Sequence, residues 1–328
     1  MDGLPDDLVL LILSKLSSTA NAPSDLINVL LTCRRLNGLA SHPIVLSRLS
    51  AKGTAVKARS WTESAERFLQ RCADAGSLEA CYTLGMIQFY CLENRAHGAS
   101  LMAKAAMGTH LGALFSIAVI QFNGSGGSKN HMNIRAGALL CTRAASYGHI
   151  DALRELGHCL QDGYGLRQNV ALGRRLLIEA NARELAADLF LSSNRKLGLS
   201  ACSLLSDYGY NVPTPVAHPA NRFMVEWFAA RRGANRGHVL QGEGRKGLRM
   251  CSNSCCGRPE TRRHEFRRCS VCGAVNYCSR ACQAMDWKLA HKLECFPMDR
   301  WEGEGDAAAG DQVPWLPLPD YEMGEAVN

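Results

Sequence analysis

The feature that most constrains this chain is a dense cluster of cysteines near its carboxyl end. Eight of the 15 cysteines fall between residues 251 and 295, and a histidine lies among them at position 291. The other seven are scattered among apolar neighbours, which predicts small buried side chains. A cluster that combines closely spaced cysteines with a histidine indicates metal binding rather than a hydrophobic core.

The cysteines and the histidine fall into pairs that are separated by short intervals. Two ligands a few residues apart can reach one zinc ion from a tight turn or from one side of a helix, and two of the pairs have the four-residue spacing that suits a helix. Eight ligands complete two tetrahedral sites with no open position, so we expect structural zinc, two ions per chain. The spacing leaves open whether consecutive or interleaved pairs share an ion, and Cys255 could replace its neighbour Cys256. The predicted ligands are Cys251, Cys256, Cys269, Cys272, Cys278, Cys282, His291 and Cys295.

Residues 251–295 resemble a MYND zinc finger over its whole length, through Tyr277-Cys278-Ser279-x2-Cys282-Gln283-x3-Trp287-x3-His291-Lys292-x2-Cys295. The resemblance implies that the first and third pairs share one ion and that the second and fourth share the other. It also implies a groove for short proline-containing peptides, lined by Gln283 and Trp287; a buried anchor is the alternative role for Trp287. We hypothesise that Pro314–Pro319 docks weakly on this groove, although it misses the family's Pro-x-Leu-x-Pro pattern.

The first fifty residues predict a short leucine-rich helical unit. Leu4-Pro5-Asp6-Asp7 is typical of a helix start, and apolar residues then recur at helical spacing from Leu8 to Leu16. A second apolar stripe contains Leu26 and Leu30. Because so small a unit has a meagre core, we expect part of its apolar surface to face a partner. The predicted partner-facing residues are Leu4, Pro5, Leu8, Ile12, Leu16, Leu26 and Leu30.

This unit resembles an F-box, through Leu4-Pro5-Asp6-Asp7-Leu8 and through Asp25-Leu26-x6-Cys33-Arg34-Arg35-Leu36. One departure is Leu36, where many members of the family have tryptophan. The resemblance implies docking on a Skp-type adaptor and, through it, on the cullin of a ubiquitin ligase. The alternative is an ordinary helical hairpin that caps the next domain.

Residues 60–185 contain an internal repeat. Ala75-Gly-Ser-Leu-Glu-Ala80, Gly108-Thr-His-Leu-Gly-Ala113 and Gly148-His-Ile-Asp-Ala152 each precede an apolar run, at intervals of 33 and 39 residues between the final alanines. Such periods predict a solenoid of stacked helical pairs. Asp162-Gly-Tyr-Gly-Leu166 resembles the loop of Sel-one-like repeats, which are relatives of tetratricopeptide repeats. Whether a face of the solenoid binds protein stays open.

Charge is distributed unevenly along the chain, whose formal net charge is +7. Residues 222–268 hold twelve Arg and Lys against four Asp and Glu, whereas residues 299–328 hold one Arg against eight acids. The basic block could indicate nucleic acid, but we favour the interpretation that arginines offset zinc-bound thiolates, and we expect no specific nucleic-acid binding. The acidic, proline-containing tail is predicted to be disordered.

The amino terminus lacks the basic segment of a signal peptide, and no apolar run approaches the roughly 18 residues of a membrane span. We therefore expect a nuclear or cytoplasmic protein with reduced thiols and no membrane partner. The chain is predicted to be mainly α, with an F-box at 1–52, helical repeats at 60–210 and a linker with a short helix at 211–249. The finger follows at 250–296, and the tail is 299–328.

No phosphate-binding loop, nucleophile elbow or His-Glu-x-x-His motif occurs, so we expect an adaptor rather than an enzyme. The three resemblances together point to plant F-box proteins. They imply a non-catalytic, substrate-recruiting subunit of a Skp–cullin–F-box ubiquitin ligase, with repeats and finger as protein-binding modules and an unknown protein substrate. The alternative is a ligase-independent nuclear scaffold or corepressor adaptor that acts through the MYND peptide groove.

Overall fold

A computed structural model describes residues 3–193, 217–233 and 247–297. The first unit consists of four helices: α1 (Asp6–Thr19), α2 (Pro23–Leu30), α3 (Arg34–Ala40) and α4 (Pro43–Leu46). Two acids occupy the first turn of α1, next to the positive end of the helix dipole. Arg35 of α3 lies 2.7 Å from Asp6 and also donates to the carbonyl of Leu4, which ties the start of α1 to α3. Val9, Leu13 and Leu26 are the centre of this unit's core.

The apolar stripe of α1 divides between two faces. Val9 and Leu13 are 1% and 3% exposed, whereas Leu8, Leu11 and Ile12 are 44%, 64% and 44% exposed. The core of the unit is therefore built from the residues between the predicted stripe positions, and most of the predicted stripe faces outward. Side chains this apolar on one exposed face indicate a docking surface.

Seven successive helices build the middle of the chain: α5 (Glu63–Asp74), α6 (Leu78–Tyr90), α7 (Arg95–Met107), α8 (Leu111–Asn123), α9 (Ile134–Ser146), α10 (Ile150–Asp162) and α11 (Val170–Ser193). Each helix packs against the next in sequence, as in a solenoid of helical pairs. The first unit is continuous with it, because α4 packs on α5 and Thr54 hydrogen-bonds Thr83 of α6 over 3.0 Å.

Glycines at helix crossings allow the backbones of neighbouring helices to approach closely. A Cβ atom on Gly98 of α7 would lie 2.6 Å from the backbone nitrogen of Phe89 and 2.7 Å from the carbonyl oxygen of Gly85, both in α6. The same arrangement recurs between α10 and α11, where a Cβ on Gly173 would lie 2.7 Å from the carbonyl oxygen of Gly157. Glycine is required at both crossings because any side chain would force the helices apart.

The repeated sequence phrases are the starts of α6, α8 and α10. Ser77, His110 and His149 each cap one of these helices, since the side chain accepts a hydrogen bond from the backbone N–H three residues later. Of the scattered cysteines that the structure describes, five are buried, as predicted. Cys33 is exposed instead, because it caps α3 with its sulfur, and Cys202 lies outside the described residues.

The helix predicted within the linker is α12 (Pro219–Gly233), which is longer than the short helix expected. It packs on α6 and buries Phe223, Met224 and Phe228. Trp61 lies edge-on to Phe223 at a ring-centroid distance of 5.2 Å. The helix thus belongs to the core of the repeats rather than to a free linker.

The carboxyl-terminal module has strands β1 (Arg267–Arg268) and β2 (Asn276–Tyr277), paired antiparallel with Arg267 opposite Tyr277, and helix α13 (Arg280–Asp286). A π-helical turn over Trp287–His291 follows directly, and α14 (Lys292–Glu294) ends the module. Within the described ranges, no helix has both the length and the apolar character needed to cross a membrane. The acidic tail and its Pro314–Pro319 segment lie outside the described residues.

Candidate metal centres and docking surfaces

The first metal centre consists of Cys251, Cys256, Cys278 and Cys282, whose sulfurs all lie within 4.8 Å of one another. Cys278 Sγ lies 3.6 Å from the sulfur of Cys256 and 3.5 Å from that of Cys282. A regular tetrahedron of thiolates with Zn–S bonds of about 2.3 Å has edges of about 3.8 Å, so the spacing fits zinc. It is far too long for a disulfide.

Local backbone structure positions these four sulfurs. Cys251 donates its N–H to the carbonyl of Arg258 over 2.8 Å, which closes the loop that carries the first pair. Ser279 caps α13 by accepting from the N–H of Cys282. Cys278 therefore precedes the helix, and the expectation that both cysteines of this pair project from one helix is wrong, because the chain turns at the cap.

The second centre consists of Cys269, Cys272, His291 and Cys295. The sulfurs of Cys269 and Cys295 lie 3.8 Å apart, and Cys272 Sγ lies 3.6 Å from His291 Nε2. Gly273 has a φ of 62° and donates to the carbonyl of Cys269 over 2.9 Å, which forms the tight knuckle of the first pair. His291 lies in the π-helical turn and Cys295 follows α14, so this pair too is not on one regular helix.

The two centres use interleaved pairs, as the MYND resemblance implies. Cys256 rather than Cys255 joins the first centre, which resolves the alternative between these neighbours. The first centre has four thiolate ligands, and the second has three thiolates and one imidazole. Such closed sites suit zinc that holds the peptide together and leaves no position for a substrate.

Arg258 connects the first zinc centre to the repeats. Its side chain is buried, with one guanidinium nitrogen 3.7 Å from Cys278 Sγ and the other donating to Ser116 of α8 over 2.7 Å. Burial alone would lower the pKa of Arg258, but the thiolates of Cys256 and Cys278 outweigh it and raise the pKa well above its usual value. This arginine offsets thiolate charge, as the sequence interpretation of the basic block expects.

Glu155 of α10 holds the start of α13. It is 5% exposed and accepts hydrogen bonds from the backbone N–H groups of Arg280 and Ala281, at 2.9 and 3.1 Å. Burial raises the pKa of Glu155, and these N–H donors act in the opposite direction by stabilising its carboxylate. Asn123 of α8 donates to the carbonyl of Cys278 over 2.8 Å.

A third contact lies at α11, where Lys288 bonds Glu184 over 2.8 Å and Glu184 in turn bonds the buried Arg154 of α10 over 2.8 Å. Contacts with α8, α10 and α11 together make the finger and the repeats one packed body.

The predicted peptide-groove residues lie on the exposed side of the finger. Gln283 is half-buried in α13, and Trp287 is 40% exposed with its ring 5.8 Å from that of His291. Three further exposed apolar side chains flank the second zinc centre in sequence, and sequence reasoning missed them: Val271, Leu293 and Phe296, which are 49%, 84% and 73% exposed. The sequence could have predicted them, since each is an apolar residue within two positions of a zinc ligand.

The predicted partner-facing residues of the first unit are divided by the fold. Leu4, Pro5, Leu8 and Ile12 are exposed, and Leu16 and Leu30 are half-buried. Leu26 is completely buried, and its assignment to a partner-facing surface is corrected: it packs in the unit's own core. Leu11, Leu31 and Ile44 of the same unit are also exposed, at 64%, 78% and 52%, and were not among the predicted partner-facing residues.

A third cluster was not predicted from the sequence. The Nε2 atoms of His110 and His218 lie 3.3 and 3.2 Å from Oε2 of Glu79. In both histidines Nδ1 accepts a backbone N–H, from Ala113 and from Ala220, so the ring proton must be on Nε2 and points at the carboxylate. Burial would raise the pKa of Glu79, but these two donors lower it to about 2.

This geometry disfavours a metal ion at the third cluster. A histidine that binds metal through Nε2 carries its proton on Nδ1 and donates it to a neighbour. Here both Nδ1 atoms are acceptors instead. The cluster is a hydrogen-bonded clamp that joins α6, α8 and the start of α12.

Comparison with known proteins agrees with this architecture. The F-box-like family profile matches residues 1–51, the profile of plant tetratrico peptide repeats matches 52–154, and the MYND finger profile matches 250–295. F-box protein At1g67340 of Arabidopsis thaliana is 62% identical over 327 residues, covering 95% of this chain and 84% of that protein. F-box protein At5g50450 of the same plant is 56% identical over 300 residues, covering 92% and 86%.

The crystal structure of a Sel1 repeat protein from Oxalobacter formigenes superposes with a TM-score of 0.32 at 21% identity, over 35% of this chain and 86% of that one. The repeat assignment rests on the family profile and on the helical pairs described above, not on this superposition.

An F-box-like helical unit, tetratricopeptide-related repeats and two interleaved zinc sites define the class as a mainly helical F-box protein with a MYND finger. The chain belongs to the plant F-box protein family that includes F-box protein At1g67340. The resemblances and the two zinc centres that the sequence predicted are thereby confirmed.

Proposed function

We propose that this chain is the substrate-recruiting subunit of a Skp–cullin–F-box ubiquitin ligase, acting in the nucleus, the cytoplasm or both. The observation that carries the proposal is the row of exposed apolar side chains on α1 in a member of the F-box protein family. Leu8, Leu11 and Ile12 are each more than two-fifths exposed, at 44%, 64% and 44%. Exposing apolar side chains to water is unfavourable in free energy, and docking on a Skp-type adaptor would bury them.

The rigid connection between the units supports a recruiting role. Arg71 of α5 bonds Ser41 over 2.8 Å and α4 packs on α5, so the F-box unit is tied to the repeats. The finger in turn is held by Arg258 and Glu155. A target bound at the finger would therefore be held at a defined distance from the cullin, and its effective concentration near the transferring enzyme would rise. The transfer chemistry would belong to the partners.

The test is co-purification with a plant Skp-type adaptor. Leu8→Arg combined with Ile12→Arg places two charges on the docking face, and we expect affinity to fall about 30-fold or more, as for central interface residues. Leu139→Arg is the matched control, because Leu139 is 54% exposed on α9, away from the F-box unit. Equal adaptor binding by wild type and by the double variant would exclude the ligase proposal.

A second candidate function is a ligase-independent scaffold, such as a nuclear corepressor adaptor that binds proline-containing peptides. The observation that favours it is the apolar surface beside the second zinc centre, where Trp287, Leu293 and Phe296 are exposed. This surface would also suit substrate capture within the first proposal. The two functions differ in whether the F-box surface is needed.

Trp287→Ala tests the peptide surface. We expect the affinity for a Pro-x-Leu-x-Pro peptide to fall about tenfold or more, because a half-exposed aromatic side chain is a typical anchor of such contacts. Thermal stability and zinc content should change little. Tyr147→Ala is the control, since Tyr147 is 56% exposed at the end of α9. Unchanged peptide affinity in the Trp287 variant, measured by fluorescence anisotropy, would contradict a groove at this position.

A further inference from the structure

Two successive repeats place a histidine in the same setting. His110 caps α8, and its ring lies 4.6 Å from that of Tyr82 in the preceding repeat. His149 caps α10, and its ring lies 5.0 Å from that of Phe115, which has the position of Tyr82 one repeat later. The two histidines are therefore equivalent in capping, in stacking and in sequence position.

The repeats differ in what the histidine meets. His110 Nε2 lies 3.3 Å from the carboxylate of Glu79, the residue three before Tyr82. The residue three before Phe115 is Gly112, which has no side chain. The position that a carboxylate occupies in one repeat is thus left without one in the next.

His149 carries its ring proton on the same nitrogen as His110. Its Nδ1 accepts the backbone N–H of Ala152 over 3.2 Å, so the ring proton is on Nε2. In the described part of the chain, no acceptor lies within hydrogen-bond distance of this Nε2. The nearest acid in sequence, Asp151, is turned toward Arg154 at 3.3 Å. His149 is half-buried, and a ligand that brings an acceptor to this donor gains a hydrogen bond that the chain itself does not supply.

His149 lines a cavity of about 790 Å³ between the F-box unit, the repeats, α12 and the finger. Gly112 and Phe115 also line it, together with the basic residues Arg48 and Arg258. The acids Glu79 and Asp151 line it too, and they are bonded to His110 and His218 and to Arg154, respectively. Its size is that of a site for a few side chains. Arg258 at its wall is already engaged by the thiolate of Cys278 and by Ser116. The cavity therefore combines apolar walls with the Nε2–H donor of His149 and with Gly112, at the position where the preceding repeat has a carboxylate.

We propose that this cavity binds an acidic side chain of a protein ligand, with the ligand's carboxylate accepting the Nε2–H of His149 as Glu79 accepts that of His110. A glutamate of a bound peptide is the natural occupant, because a glutamate side chain fills the equivalent position in the preceding repeat. The inference goes beyond the proposed function, since it names the chemistry of the ligand and does not depend on ligase assembly.

The test uses fluorescein-labelled hexaglutamate, with hexaglutamine as the neutral control, and full-length protein with its zinc bound. Gly112→Glu supplies the missing carboxylate within the chain and should block the peptide, whereas Gly112→Ala adds only the Cβ atom. That atom would lie 3.2 Å from the ring of His110, a crowding that both variants share. His149→Asn keeps a capping side chain but removes the imidazole.

We expect hexaglutamate to bind wild type in preference to hexaglutamine, and Gly112→Ala to bind it within about twofold of wild type. Gly112→Glu and His149→Asn should each weaken binding roughly tenfold or more, the effect of one hydrogen bond to a charged group. Zinc content and thermal unfolding check that each variant is folded. If hexaglutamate shows no preference over hexaglutamine, or if its binding survives both Gly112→Glu and His149→Asn, the proposed site is wrong.

Discussion

Arg258 shows at the scale of one residue how the finger depends on the repeats. Its guanidinium lies 3.7 Å from a thiolate of the first zinc centre and donates to Ser116, a residue 142 positions earlier in the chain. Four thiolates and one zinc ion leave a net negative charge, which a buried cation reduces. The residue therefore contributes both to the electrostatics of the metal centre and to the contact between two modules.

Replacing Arg258 with methionine should keep most of the buried volume and remove the charge. We expect the free energy of unfolding to fall by about 3–5 kcal/mol, as when one partner of a buried charge pair is lost. Thermal and urea unfolding measure the change. Arg268→Met is the control, because Arg268 is exposed in β1, and it should alter stability by less than about 0.5 kcal/mol. Similar stabilities of the two variants would show that the charge of Arg258 does not stabilise the first zinc centre.

Helix packing in the repeats depends on a few backbone contacts at the scale of the element. The α6–α7 crossing is so close that a Cβ on Gly98 would lie 2.6 Å from a backbone nitrogen of α6. Backbone atoms cannot move aside as the end of a flexible side chain can. The spacing between these two helices is therefore determined by glycine, and the recurrence at Gly157 and Gly173 shows that the repeat uses the same device twice.

Gly98→Ala should destabilise the protein by about 1–3 kcal/mol, because the extra methyl group overpacks the crossing. The matched control is Gly38→Ala in α3, where a Cβ atom would meet nothing within 4 Å. Alanine is the better helix former, so this control should be stabilising by up to about 1 kcal/mol. Chemical unfolding of the two variants gives the comparison, and a stabilising effect of Gly98→Ala would contradict the packing argument.

The finger is part of one packed body at the scale of the whole molecule. Its contacts reach α8 through Asn123, α10 through Glu155 and α11 through Glu184. Because zinc holds the finger's backbone in place, metal binding should also stabilise the helices on which the finger packs. We therefore expect the zinc sites to stabilise the repeats as well, since Asn123 of α8 bonds the backbone of the zinc ligand Cys278.

Cys256→Ser should lose one zinc ion and unfold the first centre, whereas Cys255→Ser should retain both. Metal analysis is expected to give two zinc ions per chain for wild type, since the Glu79 cluster has the wrong histidine tautomer for a third. Hydrogen exchange at α8 and α10 should be faster in Cys256→Ser and unchanged in Cys255→Ser. Protection of these helices that is equal in both variants would show that finger and repeats are energetically independent.

The sequence by itself determined the zinc ligands, the helical repeats and the leucine-rich first unit. These features depend on residue type and short spacing, since a knuckle such as Cys269–Cys272 or an apolar period is local in the chain. The spacing favoured Cys256 only weakly over Cys255, because the side chains of adjacent cysteines differ in the direction in which they point, and the fold determines that direction.

Only the tertiary structure decided which faces are buried and where the modules meet. It placed Leu26 in the core and Leu8 outside, joined Arg258 to Ser116, and left His149 facing a cavity where its counterpart His110 meets Glu79. Such contacts join residues far apart in sequence, and no local pattern specifies them. Each helix buries the face that its neighbours cover, and which neighbours it has depends on how the whole chain packs.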